Sequence, residues 1–125
     1  MVKGIELGGL KILFKILGHE LVEHVGLLFG RGNRALIYIP LKNIYKSPVR
    51  FLGDPWDTVI AFKVADEYGL DIIGVFHNHP RGRAVPSGED LVGMKRWPHI
   101  WVIASETEIR AWRLERGELI ELGVA

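Results

Sequence analysis

The residues best suited to chemistry in this 125-residue chain lie between positions 77 and 90. His77 and His79 stand one residue apart, and Asp90 follows eleven positions after the second histidine. Side chains alternate along a strand, so an extended run from Asp71 to His79 turns both imidazoles to one face. Two imidazoles and a carboxylate returning from a turn make three ligands. That is the count a catalytic zinc takes when its fourth position is left for water. Ser87 and Asp90 also have the Ser-x-x-Asp spacing of a capping box that opens a helix. The two readings are compatible, because an acid in the first helical turn can still point back at a strand end.

Bulk composition narrows the setting for such a site. The chain has no cysteine, which removes disulfides, thiolate metal sites and a cysteine nucleophile together. A formal net charge of +1 predicts no strong pull toward nucleic acid or an anionic membrane. Hydrophobic residues make up 48%, enough for a real core and against intrinsic disorder. The apolar Gly9 to Gly18 stretch carries Lys11 and Lys15, and no small-residue cleavage site follows it. No run approaches the ~20 apolar residues of a membrane span. The expectation is a soluble cytoplasmic protein forming one domain over residues 1–125.

The elements that must position the site can be read in order. Residues 2 to 6 suit a short edge strand. Leu10, Leu13, Phe14, Leu17 and Leu21 recur at helical spacing, predicting an amphipathic helix over 8 to about 18 that stops at Gly18. Residues 21 to 29 and 35 to 41 read as two strands joined by the turn chemistry of Gly30-Arg31-Gly32-Asn33. A connection over 42 to 53 leads to the clearest helix, with Asp54 as N-cap, Pro55 at the first position and Gly69 just past the end. Trp56, Ile60, Ala61 and Val64 are its expected buried stripe. The histidine strand, Ile72 to His79, follows. A third helix is expected from Ser87 to before Pro98, then strands at 99 to 104, 108 to 115 and 118 to 123, the last two joined at Gly117. Helices mixed with strands and no internal repeat suggest an α/β sandwich.

The spacing of the site residues carries a family resemblance. His77-x-His79-Pro80, then Ser87 and Asp90, resembles the JAMM motif of the MPN-type metalloproteases in every fixed position. Upstream, Glu23-His24-Val25-Gly26-Leu27-Leu28-Phe29-Gly30 is similar to the Glu-x-x-Gly-Leu-Leu-x-Gly strand of the same family. Asn43, Pro48, Phe51 and Asp54-Pro55 extend the similarity. The resemblance implies a single-domain MPN (cytidine-deaminase-like) α-β-α sandwich with a mixed central sheet. It implies Zn²⁺ held by His77, His79 and Asp90, Glu23 as general base and then acid, and Ser87 as a donor to the oxyanion. It also implies hydrolysis of isopeptide or peptide bonds after the Gly-Gly tail of a ubiquitin-like modifier. That tail would lie as an added strand in a groove near the 42 to 53 connection.

Other features refine what the resemblance implies. Nine residues separate Asp90 from Ile100, which leaves no space for the second insertion of ubiquitin-chain-specific members. The chain therefore resembles the minimal archaeal or bacterial form, with small modifiers and their conjugates as partners and a homodimer as a plausible assembly. Asn78 stands where Ser or Thr is frequent, and His-Asn-His-Pro also resembles RadC-type domains. Those domains and the relatives that process sulfur-carrier tails are the alternatives. The absence of a basic excess speaks against nucleic acid. His19, His24 and His99 are expected to have no functional role, the four tryptophans to pack, and Arg81 and Arg83 to be solvated or to meet an acidic partner.

Overall fold

Two tight hairpins set the pattern of the sheet. The structure is a computed structural model that describes residues 4–42 and 55–125. Strand β2 (Val25–Arg31) turns through Gly32-Asn33 into β3 (Arg34–Leu41). Strand β6 (Ile109–Glu115) turns into β7 (Glu118–Val124). At that second turn Arg116 and Gly117 both have positive φ, 51° and 80°. Positive φ at both central residues suits the twist of the flanking strands, and glycine lowers its cost.

The remaining described elements are β1 (Gly4–Ile5), β4 (Asp71–Asn78), β5 (Ile100–Ala104), and helices α1 (Leu10–Gly18), α2 (Pro55–Glu67) and α3 (Gly88–Arg96). The strands form one sheet in the order β1-β7-β6-β5-β4-β2-β3. It is mixed: β4 and β5 run parallel, as do β1 and β7, while the other pairs are antiparallel. A parallel pair needs a crossover, and α3 lies on the one between β4 and β5. The sheet curls until its edges meet. Glu6, next to β1, bridges Arg34 at the start of β3, with Ala35 N–H donating to the Glu6 carbonyl at 2.9 Å.

Alternation along the strands builds two cores, one per face. Leu27, Phe29, Val75, Trp101 and Ile103 face one cluster with Ala61, Ala65 and Met94 of α2 and α3. Leu28, Phe76, Val102 and Ala104 face the other, with Phe14 of α1. Phe14 stacks on Phe76 at 4.0 Å between centroids, and Tyr38 meets both rings edge-on. Gly26 makes room for Tyr38: a Cβ there would stand 2.3 Å from the Tyr38 ring and 2.6 Å from the Ile39 carbonyl oxygen. The α-β-α layering expected from the sequence is therefore present.

Several expectations need correction. Leu21 lies beyond α1 and is 79% exposed, because the helix ends at Gly18 with His19 as its cap. The strand expected from residue 21 starts at Val25, and β2 lies between β3 and β4. Trp56 and Ile60 of α2 are 74% and 55% exposed. Of the expected stripe Ala61 is buried and Val64 half-buried, and Ala65 joins them on the buried face. Phe62 adds an edge-on contact to the buried Phe29 of β2, with ring centroids 5.2 Å apart. Asn43, Pro48, Phe51, the Asp54 cap and most of the expected groove lie outside the described residues.

Candidate metal centre and active site

The centre is built where β4 ends beside β5. His77 is in β4, opposite Val25 of β2 on one side and Ile103 of β5 on the other. His79 is one residue past the strand, and Asp90 is in the first turn of α3. Their ligand atoms all lie within 4.8 Å of one another. His77 and Asp90 are buried, with 3% and 0% exposure, and His79 is half-buried.

Each imidazole is oriented through its far nitrogen. His77 Nδ1 lies 3.2 Å from the His24 carbonyl oxygen, and His79 Nδ1 lies 2.7 Å from that of Arg83. A carbonyl only accepts, so each Nδ1 carries the proton and each Nε2 is directed into the centre. This is the outer support that metal-binding histidines use. Asp90 has two jobs. Its Oδ2 accepts from the Ser87 backbone N–H at 2.9 Å and lies 2.9 Å from His79 Nε2. Its Oδ1, 3.8 Å from His77 Nε2, is buried without a hydrogen-bond partner among the described residues. Buried polar atoms are rarely left so. A carboxylate with one oxygen orphaned beside His77 Nε2 and the other on His79 Nε2 fits a cation, and the donor set can hold a metal.

The ionisation states of His77 and Asp90 agree with that use, while His79 is drawn toward its protonated form by the Asp90 carboxylate. Burial pushes the His77 pKa down, against the pull of Asp90, which favours the neutral ligand form. Burial also pulls at His79, but the Asp90 hydrogen bond and the Arg83 carbonyl outweigh it and raise its pKa. For Asp90, burial is outweighed by the His79 hydrogen bond and the His77 ring, and its pKa falls below the usual carboxylate range.

Glu23 and Ser87 line the same cleft of about 230 Å³ as the three ligands, with Pro80, Arg81 and Glu89 at its walls. Glu23 is exposed, in the segment just before β2, and its charge acts on both imidazoles. Ser87 caps α3 by accepting from the Asp90 N–H at 3.1 Å. That bond uses an oxygen lone pair, so among the described residues the Ser87 hydroxyl hydrogen is left for another acceptor. A larger hollow, about 590 Å³, lies where the sheet edges meet; its charged Glu6 and Arg34 pair with each other, so size does not mark the reactive site.

Three supporting residues are not marked by the motif. Asn78 is fully buried, and its side chain bonds the chain around Glu23. Glu108 accepts from Ala84 N–H at 3.0 Å and pairs with Arg83 at 3.5 Å. Trp112 Nε1 donates to the Ala84 carbonyl at 2.8 Å. Together the last two hold the turn whose Arg83 carbonyl orients His79. The signal for Asn78 was available, since alternation turns the middle residue of His-x-His into the opposite core. Glu108 and Trp112 sit far along the chain, with nothing local to mark them. His24 takes part through its main chain, and Arg83 is ion-paired rather than simply solvated. Trp101 and Trp112 are in the core as expected, while Trp56 is not.

Comparison with known proteins follows this geometry. Residues 16–115 match the family described as prokaryotic homologues of the JAB domain. The chain is 39% identical over 117 residues to a desampylase of Pyrococcus furiosus, covering 92% of this chain and 84% of that one. It is 36% identical over 103 residues to a probable TtuB-protein conjugate cleaving protease of Thermus thermophilus, covering 82% and 68%. In fold it is similar to the crystal structure of a JAB1/MPN domain protein from Archaeoglobus fulgidus. The TM-score is 0.62 at 21% identity, with 98% and 96% covered.

Proposed function

The chain belongs to the family of prokaryotic homologues of the JAB domain, and on that premise we propose that it is a zinc-dependent isopeptidase. Its substrates are conjugates of a ubiquitin-like modifier, as the names of the desampylase and conjugate-cleaving relatives suggest. The observation that carries this reading is the convergence of two Nε2 atoms and an orphaned carboxylate oxygen in the cleft that Glu23 and Ser87 also line.

His77, His79 and Asp90 would hold the zinc. When bound, zinc supplies Lewis acidity, lowering the pKa of water to about 7 and polarising a carbonyl. Glu23, exposed in the cleft, takes the proton from the attacking water and returns it to the leaving lysine amine as the bond breaks. Ser87 donates its hydroxyl hydrogen to the developing oxyanion. The scissile bond follows the modifier's Gly-Gly tail.

A cleavage assay on a Gly-Gly-linked conjugate tests this, with zinc, with a chelator, and with Glu23→Gln loaded with zinc. The expected result is zinc-dependent release that E23Q lowers by at least about 10²-fold, the usual contribution of a general base. Wild-type rates in the E23Q protein would remove Glu23 from the reaction.

A further inference from the structure

The segment that carries Glu23 is irregular, running from the end of α1 to the start of β2. Such a segment does not hold an exposed side chain in place by itself, since strand pairing begins only at Val25. What fixes it is one buried side chain. The Asn78 Oδ1 accepts from the His24 backbone N–H. Its Nδ2 donates to the carbonyls of Val22 at 3.1 Å and Leu17 at 2.9 Å, with Glu20 at 3.4 Å. The Val22 carbonyl belongs to the peptide unit before Glu23, and the His24 N–H to the unit after it. A single amide therefore grips both peptide planes that flank Glu23, which restrains its φ and ψ together. The Asn78 backbone N–H adds a bond to the His24 carbonyl at 3.3 Å, the same carbonyl that orients His77.

Only a side chain that accepts and donates at once can do this. A carboxylate lacks the donors, and a serine hydroxyl has one hydrogen and a shorter reach. Asn78 is fully buried, so water does not replace these bonds when they are lost.

We propose that Asn78 is a positioning residue that sets Glu23 over the centre by holding both of its flanking peptide units. This rests on the isopeptidase reading, with Glu23 as its base. In the zinc-loaded protein, Asn78→Ser is expected to lower kcat about 10²-fold with KM little changed, the loss typical of a misplaced catalytic group. In an E23Q background the same substitution is expected to change kcat no further, because the group it positions is already gone. Zinc affinity, measured by competition with a chromophoric chelator, should stay within about tenfold of wild type, because the substitution keeps the Asn78 backbone N–H that bonds the His24 carbonyl behind His77.

Equal losses in both backgrounds, no loss, or a collapse of zinc affinity matching the loss of activity would each overturn the proposal. A wild-type rate in E23Q alone would instead remove Glu23 from the reaction, and no zinc-dependent cleavage by the wild-type protein would sink the isopeptidase reading. Amide hydrogen exchange on the unsubstituted full chain, with and without zinc, needs no variant to fold. The His24 amide should be as protected as amides of β4 despite lying outside a strand, and exchange at the rate of an exposed loop amide would overturn the proposal.

Discussion

The two imidazoles of the centre are held by opposite kinds of support. His77 leans on the His24 carbonyl, 53 residues away in sequence, and that carbonyl belongs to a segment fixed by a fully buried neutral amide. His79 leans on the Arg83 carbonyl, four residues away, in a turn outside any strand. That turn depends on Glu108 and Trp112, just before and within β6, two strands along the sheet from β4, and on an Arg83–Glu108 ion pair whose arginine is 73% exposed. The partner distant in sequence thus needs one side chain, because strand pairing has already brought the segments together. The nearby partner needs two, because no ladder steadies its turn. The His77 support should be insensitive to salt, because it holds no ion pair; the His79 support should weaken as its ion pair is screened.

The harshest test removes what both sides share. Asp90→Ala deletes the carboxylate facing both Nε2 atoms and the α3 capping box. Calorimetry should find no zinc binding at micromolar metal, and the zinc-dependent rise in Tm that mass action gives the wild type should vanish. Near-normal affinity would mean that the centre is not built from these three residues.

A smaller effect is expected from Trp112→Phe, which acts on the His79 side alone. It leaves the buried Ala84 carbonyl without its indole donor, at a cost of about 1–3 kcal/mol in urea unfolding. Zinc affinity should fall ~10-fold or more, as for other outer supports of metal ligands. If stability falls and zinc affinity does not, the turn is not what orients His79.

The smallest effect is expected from Glu108→Gln. Glutamine keeps an oxygen for the Ala84 N–H and loses only the ion pairing, so the change should stay below about 1 kcal/mol. It should shrink further at 1 M salt, where the screening length is about 3 Å. A large, salt-independent loss would place Glu108 with Asn78 as a buried clamp and erase the contrast between the two sides.

Much of this architecture was legible because it is local. The Ser87–Asp90 capping box, the Gly18 end of α1 and the turn at Gly117 all follow from residues within a few positions of one another. Where the reading failed, the deciding partner was remote. Trp56 and Ile60 look like a buried stripe by type, yet α2 packs through Ala61 and Ala65. Residues 21 to 24 look like strand by composition, but pairing with β3 and β4 begins at Val25.

The same division runs through the site. Spacing alone determined that His77, His79 and Asp90 share a centre, because strand alternation and the first turn of a capped helix are short-range geometry. It also determined that Asn78 points away from that centre. What Asn78 meets there was decided only by the tertiary structure, which brings Leu17, Val22 and His24 to it across 54 to 61 residues of chain. Periodicity gives the direction of a side chain but not the identity of a distant neighbour. Sheet order does that, by laying β2 beside β4 and so bringing Glu23 into the cleft of the histidines.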